Sequence, residues 1–200
     1  LLQAPWSLLN VAQNEWTIQT LDESRRLTKP MCEFVNLMFG TNIHSGKDGP
    51  PVTVIGPKNT PNMTDMVIDV IKQVNGRVLL LVDRKRGNRN LRHLLNTLSM
   101  QSMSVNIHGI DAPDENAKIV CGSFWSCKGL EEDVVIVFLP EMAARNPTYV
   151  ALTRAREKLV VVLDPKEPHA VACNAVMELG IPFEGTVKVL QNGIPFLSYV

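Results

Sequence analysis

Val78-Leu79-Leu80-Leu81-Val82 is a run of five apolar residues with no polar break. A strand with one wet face alternates apolar and polar residues, so an unbroken run implies helices on both faces of its sheet. On its N-terminal side, Thr60-Pro61 opens a helix whose Met63, Met66, Val67, Val70, Ile71 and Val74 share one face. Before that helix, Val52-Thr53-Val54-Ile55 reads as a strand. On the C-terminal side, Leu91, Leu94, Leu95 and Leu98 mark the next helix. Val105-Asn106-Ile107 and Lys118-Ile119-Val120-Cys121 follow as short strands, and Asp133 to Leu139 as a long one. Asn146-Pro147 caps and opens a further helix, and Leu159 to Leu163 is another buried strand. Strands alternating with helices in this way predict an α/β fold, a parallel sheet with helices on both faces. Ligands of such sheets are expected beyond the strands' carboxyl ends.

Further out, Thr17 to Leu21 alternates like a short strand, and a helix is predicted from about Pro30 to Phe39. Met31, Phe34, Val35 and Met38 give that helix its apolar face, Thr28 is placed to cap it and Gly40 to end it. Residues 40–51, rich in Gly, Asn and Pro, read as a loop. The tail carries a helix near 168–179 and a β-hairpin at Asn192-Gly193, with Pro195 placing the last strand at an edge. The organisation read from this is a linker or remnant over 1–16, one α/β domain over 17–165, and a helix-plus-hairpin appendage over 166–200.

The 200 residues are 45% hydrophobic and 20% charged, the profile of a globular protein with a sizeable core. No run of 18 apolar residues occurs, so no membrane partner is expected. The opening Leu1-Leu2-Gln3-Ala4-Pro5-Trp6 has neither a basic region nor a cleavage site for secretion, and no initiator Met, as in a piece of a longer protein. Cys32, Cys121, Cys127 and Cys173 form no Cys-x-x-Cys pair and have no His at zinc-ligand spacing. The expectation is a reduced intracellular protein, of cytoplasm or nucleus, without a metal site of its own. Net charge is zero, so any nucleic-acid contact must come from a local patch. His44, His93, His108 and His169 are scattered and read as structural or exposed.

Four stretches could carry chemistry. In Ser123-Phe124-Trp125-Ser126-Cys127-Lys128-Gly129-Leu130-Glu131, Gly129 admits close backbone approach, Lys128 offers a point charge to a phosphate, and Glu131 can accept from a ribose hydroxyl. The alternative is a solvated turn. In Asn146 to Lys158, read as one helix, Arg154 lies three and four positions from Ala151 and Val150, on a packed face. An Arg there either snorkels to solvent or reaches a buried anion, and Arg156 belongs to the solvated side. In Leu21-Asp22-Glu23-Ser24-Arg25-Arg26-Leu27-Thr28, Arg25 or Arg26 could point at a phosphate, or both could pair with Asp22 and Glu23. From Arg84 to Arg92 five of nine residues are basic and none acidic, so the segment either tracks a phosphate backbone or is simply solvated. No Gly-x-x-x-x-Gly-Lys-Ser/Thr loop occurs, and no apolar strand ends in a paired Asp-Glu to hold Mg²⁺.

Taken in order, these stretches resemble motifs of the superfamily 1 helicases of the UvrD/Rep type. Ser123 to Glu131, followed by Asp133-Val134-Val135-Ile136-Val137, looks like motif V; Tyr149-Val150-Ala151-Leu152-Thr153-Arg154-Ala155 matches motif VI almost letter for letter; Leu21 to Thr28 resembles motif IV, with its Arg at Arg26. The resemblance covers residues 17–163, about three quarters of the chain. It implies a RecA-like domain, the second of two between which ATP lies. Its first partner, an N-terminal RecA-like domain of the same protein, would carry the phosphate loop and the Mg²⁺ ligands. Arg154 and Arg26 would then reach the γ-phosphate, worth about 10³ to 10⁵ in rate for such arginine fingers. Lys128, Gly129 and Glu131 would complete the nucleotide side. Arg84, Lys85, Arg86 and Arg89, with Ser123 and Trp125, would face single-stranded nucleic acid, DNA or RNA, and Thr153 would join that surface and couple the two sites. The chain departs from the family at Trp125, where His is usual, at Ser123, where Thr is common, and at Arg25, where Tyr is typical. The large insertion common between motifs IV and V is missing, as in the compact RNA-helicase relatives. The other expectation left by the sequence is a helicase-derived module that binds nucleic acid or protein without turning over ATP.

Overall fold

In a computed structural model, described for residues 22–56, 60–83, 89–163, 169–181, 186–189 and 195–198 (60–63, 89, 90, 186–189 and 195–198 by backbone alone), Val78–Val82 forms a strand, β2, with all five residues buried. The other strands of its sheet are β1 (Thr53–Ile55), β3 (Val105–Ile107), β4 (Ile119–Ser123), β5 (Glu132–Leu139) and β6 (Ala155–Leu163). They lie in the order β1-β6-β5-β2-β4-β3, and every pairing is parallel. Successive side chains of a strand point to opposite faces. Leu79 and Leu81 accordingly join one core with Val135, Val137, Leu159 and Val161, while Val78, Leu80 and Val82 join a second with Val134, Ile136, Val160 and Val162. Two dry faces are why the run has no polar break.

The helices fall on the two faces in a way that the chain's path explains. From β1 to β2 to β3 the chain moves one way across the sheet, and α2 (Thr60–Gln73) and α3 (Arg89–Met100) pack on the second core through Val67, Ile68, Ile71, Leu91, Leu94 and Leu98. From β3 through β4 and β5 to β6 it moves back. Parallel crossovers keep one hand, so reversing direction moves the connections to the other face. There lie the 124–131 crossover, with Phe124 and Cys127 buried, and α4 (Arg145–Leu152). Helices α1 (Lys29–Phe39) and α5 (Ala170–Glu178) share this face. The tail strands β7 (Thr186–Val189) and β8 (Pro195–Ser198) pair antiparallel as a separate two-stranded sheet, and Pro195 is in an edge strand as expected. The 1–16 segment, the strand read over Thr17 to Leu21 and the Asn192-Gly193 turn lie outside the described residues.

Three local expectations are corrected. The stretch from Asn146 to Lys158 is not one helix: α4 ends at Leu152, and Ala155 to Lys158 already belong to β6, because Ala155 and Lys158 pair with Glu132 and Val134 of β5. Asn146-Pro147 does not begin α4, which starts at Arg145 with Ala144 at the N-cap. Thr28 occupies the N-cap position of α1, but its buried hydroxyl makes no hydrogen bond. The Thr28 side chain is enclosed by a neighbouring loop: a Cβ added to Gly49 would meet Thr28 Cγ2 at 2.4 Å. Gly40 ends α1 as anticipated, in the left-handed conformation (φ 61°) with its N–H on the Asn36 carbonyl.

Candidate functional site

Because β5 and β6 are neighbours, the residues just before them stand side by side. Glu132 pairs with Ala155, and its N–H donates to the Arg154 carbonyl at 3.3 Å. Glu131 is thereby brought next to Thr153 and Arg154. The third contributor comes from far away in sequence. The Ser24 hydroxyl accepts from the N–H groups of Arg26 (3.3 Å) and Leu27 (3.0 Å), and the buried Leu27 anchors that turn. From there Arg26 Nη1 donates to the Thr153 carbonyl at 2.9 Å and Nη2 pairs with Glu131 Oε1 at 2.5 Å. Of the two candidate arginines in that stretch, Arg26 joins the cluster, whereas Arg25 is exposed.

Arg154 follows directly on the C-cap of α4. Its Nε donates to the Val150 carbonyl at 2.8 Å and its Nη2 to Thr153 Oγ1 at 3.3 Å. It thus satisfies one of the carbonyls that a helix end leaves unpaired. The side chain is half-buried and does not snorkel fully to solvent, and its hydrogen bonds are to Val150 and Thr153. Burial first, and then the like charge of Arg26, push its pKa below the ordinary arginine value; Cys127, Glu131 and Tyr149 oppose that shift. A guanidinium still stays protonated, so the site concentrates two positive charges against one carboxylate. Cys127 is fully buried beneath the cluster with its thiol on the Phe124 carbonyl at 3.2 Å; burial pushes its pKa up, and Arg154 counteracts in part.

The rest of the 124–131 crossover borders this cluster. Lys128 and Gly129 are exposed. Gly129 has φ 89°, and no atom lies within 4 Å of where a Cβ would stand, so its backbone is open to close approach. Glu131 is engaged by Arg26, with both side chains 34% exposed. The cluster sits at the amino ends of β5 and β6, not beyond the carboxyl ends as the strand rule led us to expect. That rule describes ligands cradled by a sheet's own strand-to-helix loops, whereas Glu131 and Arg154 stand on the segments that lead into β5 and β6.

The nucleic-acid candidates separate from this group. Ser123 ends β4, at the carboxyl edge, where its hydroxyl and N–H engage the Ser126 hydroxyl at 2.9 and 3.0 Å. Trp125 beside it is 67% exposed. Val82 and Ser123 are register partners, so the carboxyl end of β2 lies next to this turn. Arg84, Lys85 and Arg86 lie outside the described residues, and Arg89 is described only as the first residue of α3. Thr153 is not on this edge but among the arginines, 6% exposed. Arg156 is on the solvated side, as read, paired with Asp133 at 3.0 Å.

The sequence carried no signal for two neighbours. The spacing of Cys127 bears only on disulfides and metals, and its place under the arginines depends on how the crossover folds. An open cavity of about 510 Å³ adjoins Glu131, floored by the register row Leu79, Val120 and Asn106 and rimmed by Arg77, Asp114 and Glu115. Its lining comes from residues far apart in the chain, so it is a tertiary property. Among the described residues no group of three His, Cys, Asp or Glu side chains is placed to hold a metal ion, and no helix is long and apolar enough to cross a membrane.

No protein-family model matches the sequence, and no curated protein is similar to it. Solved structures are. The C-terminal domain of a possible DNA helicase from Lactobacillus plantarum WCFS1 superposes with a TM-score of 0.58 at 18% identity, over 76% of this chain and 94% of that one. The C-terminal domain of the DEAD-box protein Dbp5 is more distant, with a TM-score of 0.48 at 14% identity over 66% and 87% of the two chains. So is the arterivirus nonstructural protein 10 helicase, with 0.41 at 13% over 78% and 28%. The six-stranded, all-parallel sheet with helices on both faces is therefore a RecA-like α/β fold, shared with a helicase C-terminal domain.

Proposed function

We propose that this chain is the second motor half of an ATP-driven helicase or translocase on nucleic acid, supplying arginines to a nucleotide held mainly by another RecA-like domain. The observation that carries the reading is the meeting of Arg26 and Arg154, 128 positions apart, at Thr153 and Glu131. Three stretches picked out separately in the sequence, and in the order of motifs IV, V and VI of superfamily 1, supply those four residues.

In this reading Arg154 and Arg26 stabilise charge on the transferring phosphoryl group. A planar guanidinium presents paired donors that match phosphate oxygens. Arg26 exchanges Glu131 for a phosphate oxygen as the domains close, which frees the Glu131 carboxylate to accept from the ribose. Lys128 and the open backbone at Gly129 border the same nucleotide. ATP and Mg²⁺ are held chiefly by the partner domain, since neither a phosphate loop nor an Asp-Glu pair at a strand end occurs in this sequence. The exposed Trp125, Ser123 and the basic segment with Arg84, Lys85, Arg86 and Arg89 form the strand-binding edge. Stacking of a base on an aromatic ring is worth about 1–3 kcal/mol.

The test is turnover by the protein that joins this chain to its phosphate-loop domain. Arg154→Ala is expected to lower kcat by about 10³-fold, and the isolated chain to hydrolyse ATP negligibly. Wild-type turnover by the Ala variant would defeat the reading. A joined protein with no nucleotide turnover at all would return the chain to the class of inert binding modules.

A further inference from the structure

We propose that Thr153 is the positioning residue that holds both arginines in one pose, and that it makes no contact with a nucleic-acid strand. The inference rests on the motor reading and adds to it a residue that acts through Arg26 and Arg154.

Among the described residues, Thr153 alone hydrogen-bonds both guanidinium groups. Its carbonyl accepts from Arg26 Nη1 at 2.9 Å, and its hydroxyl accepts from Arg154 Nη2 at 3.3 Å. The polarity of that hydroxyl is settled by its other partners. Oγ1 donates its single proton toward the Tyr149 carbonyl at 2.9 Å and the Val150 carbonyl at 3.1 Å. With the proton committed to the end of α4, only lone pairs remain to face Arg154, which is what a cation requires. Val150's carbonyl also receives Arg154 Nε, so hydroxyl, helix end and guanidinium form one network.

The main chain at Thr153 is held on both sides. It is the C-cap of α4, its N–H bonds to the Tyr149 carbonyl, and the next residue's carbonyl accepts from Glu132 N–H. At 6% exposure it cannot reach a strand lying on the surface. Two like charges brought together repel and would splay apart unless each had a fixed acceptor. Thr153 provides one to each, using its backbone for Arg26 and its side chain for Arg154. A misplacement of a catalytic group by about 1 Å can cost on the order of 10²-fold in rate.

The experiment uses the joined, full-length protein and four variants: Thr153→Val, which keeps the shape without the hydroxyl; Thr153→Ser, which keeps Oγ; Thr153→Ala; and Arg154→Ala. Thr153→Val is expected to lower kcat by about 10- to 100-fold, with KM for ATP and single-strand affinity changed by less than about twofold. Thr153→Ser is expected to stay near wild type, a rescue that a role in shape alone would not produce. Should circular dichroism show the Val variant unfolded, Thr153→Ala, which also lacks Oγ, takes its place. Wild-type kcat without the hydroxyl, a Ser variant as slow as Val, or a loss confined to strand affinity would each overturn the assignment of Thr153. Wild-type turnover in Arg154→Ala would instead overturn the motor reading, so the two failures are told apart.

Discussion

Replacing Glu131 by Gln keeps the shape of the side chain and removes the one carboxylate between two guanidinium groups. Arg26 and Glu131 touch at 2.5 Å, each 34% exposed. With charge centres about 4 Å apart and an effective dielectric of about 20, Coulomb's law gives roughly 4 kcal/mol. Solvent screening at a third exposure, and the cost of ordering two long side chains, reduce the net worth to about 1 kcal/mol. A second effect has the opposite sign for Arg26. Its charge sits against Arg154, whose pKa it lowers. With Glu131 present, Arg26→Met destabilises; with Glu131→Gln already made, the same change also relieves a repulsion and should cost less. The hydrogen bond from Arg26 to the Thr153 carbonyl is lost in both backgrounds, so it cancels. Denaturant unfolding of wild type, both single variants and the double variant gives the coupling, expected at about 1 kcal/mol in low salt and smaller in 1 M salt. Equal cost of Arg26→Met in both backgrounds, within about 0.3 kcal/mol, would refute the picture of one carboxylate shared by two arginines.

Two further outcomes are expected. His169 caps α5 by accepting from Ala172 N–H through Nδ1 at 3.3 Å, and burial pushes its pKa below the ordinary 6.5. A depressed histidine pKa stabilises the fold above 6.5, and that stability is lost as pH falls toward the folded value. The stability of the chain should therefore drop below that pH by about 1 kcal/mol, the usual worth of a cap, while His169→Asn should flatten this part of the profile; an unchanged slope in the variant would contradict the role. Replacing Arg84, Lys85 and Arg86 by Ala should weaken single-strand binding and reduce its salt slope by about 0.7 per lost phosphate contact, and an unchanged slope would mean that the segment is only solvated.

The parallel sheet was legible because burial on both faces leaves a mark that needs no partner to be seen. Val78 to Val82 is the plainest case, and the apolar faces of α2 and α3 follow the same logic. The amino end of β6 was not legible. Arg156, Glu157 and Lys158 continue a helical composition after Leu152, and only pairing with β5 turns them into strand. The strand order was hidden as well, since it is decided by crossovers that can pass over either face. Within the site, local patterns singled out Arg154, Glu131 and the pair Arg25-Arg26, and the family resemblance chose Arg26, but neither showed their meeting. That depends on the adjacency of β5 and β6 and on a turn anchored by Leu27. The position of the cluster at the amino ends was not legible for a related reason: Glu131 and Arg154 stand on the segments that lead into β5 and β6, and only the adjacency of those strands brings them together.

The central claim is that Arg154 reaches a phosphate bound to another domain. A structure of the joined protein with ADP, Mg²⁺ and aluminium fluoride as the transferring-phosphoryl mimic tests it most directly. We expect an Arg154 guanidinium nitrogen at roughly 2.7–2.9 Å from a fluoride or phosphate oxygen, with Arg26 turned from Glu131 toward the same group. An Arg154 guanidinium out of reach of the nucleotide in a closed complex would contradict the account.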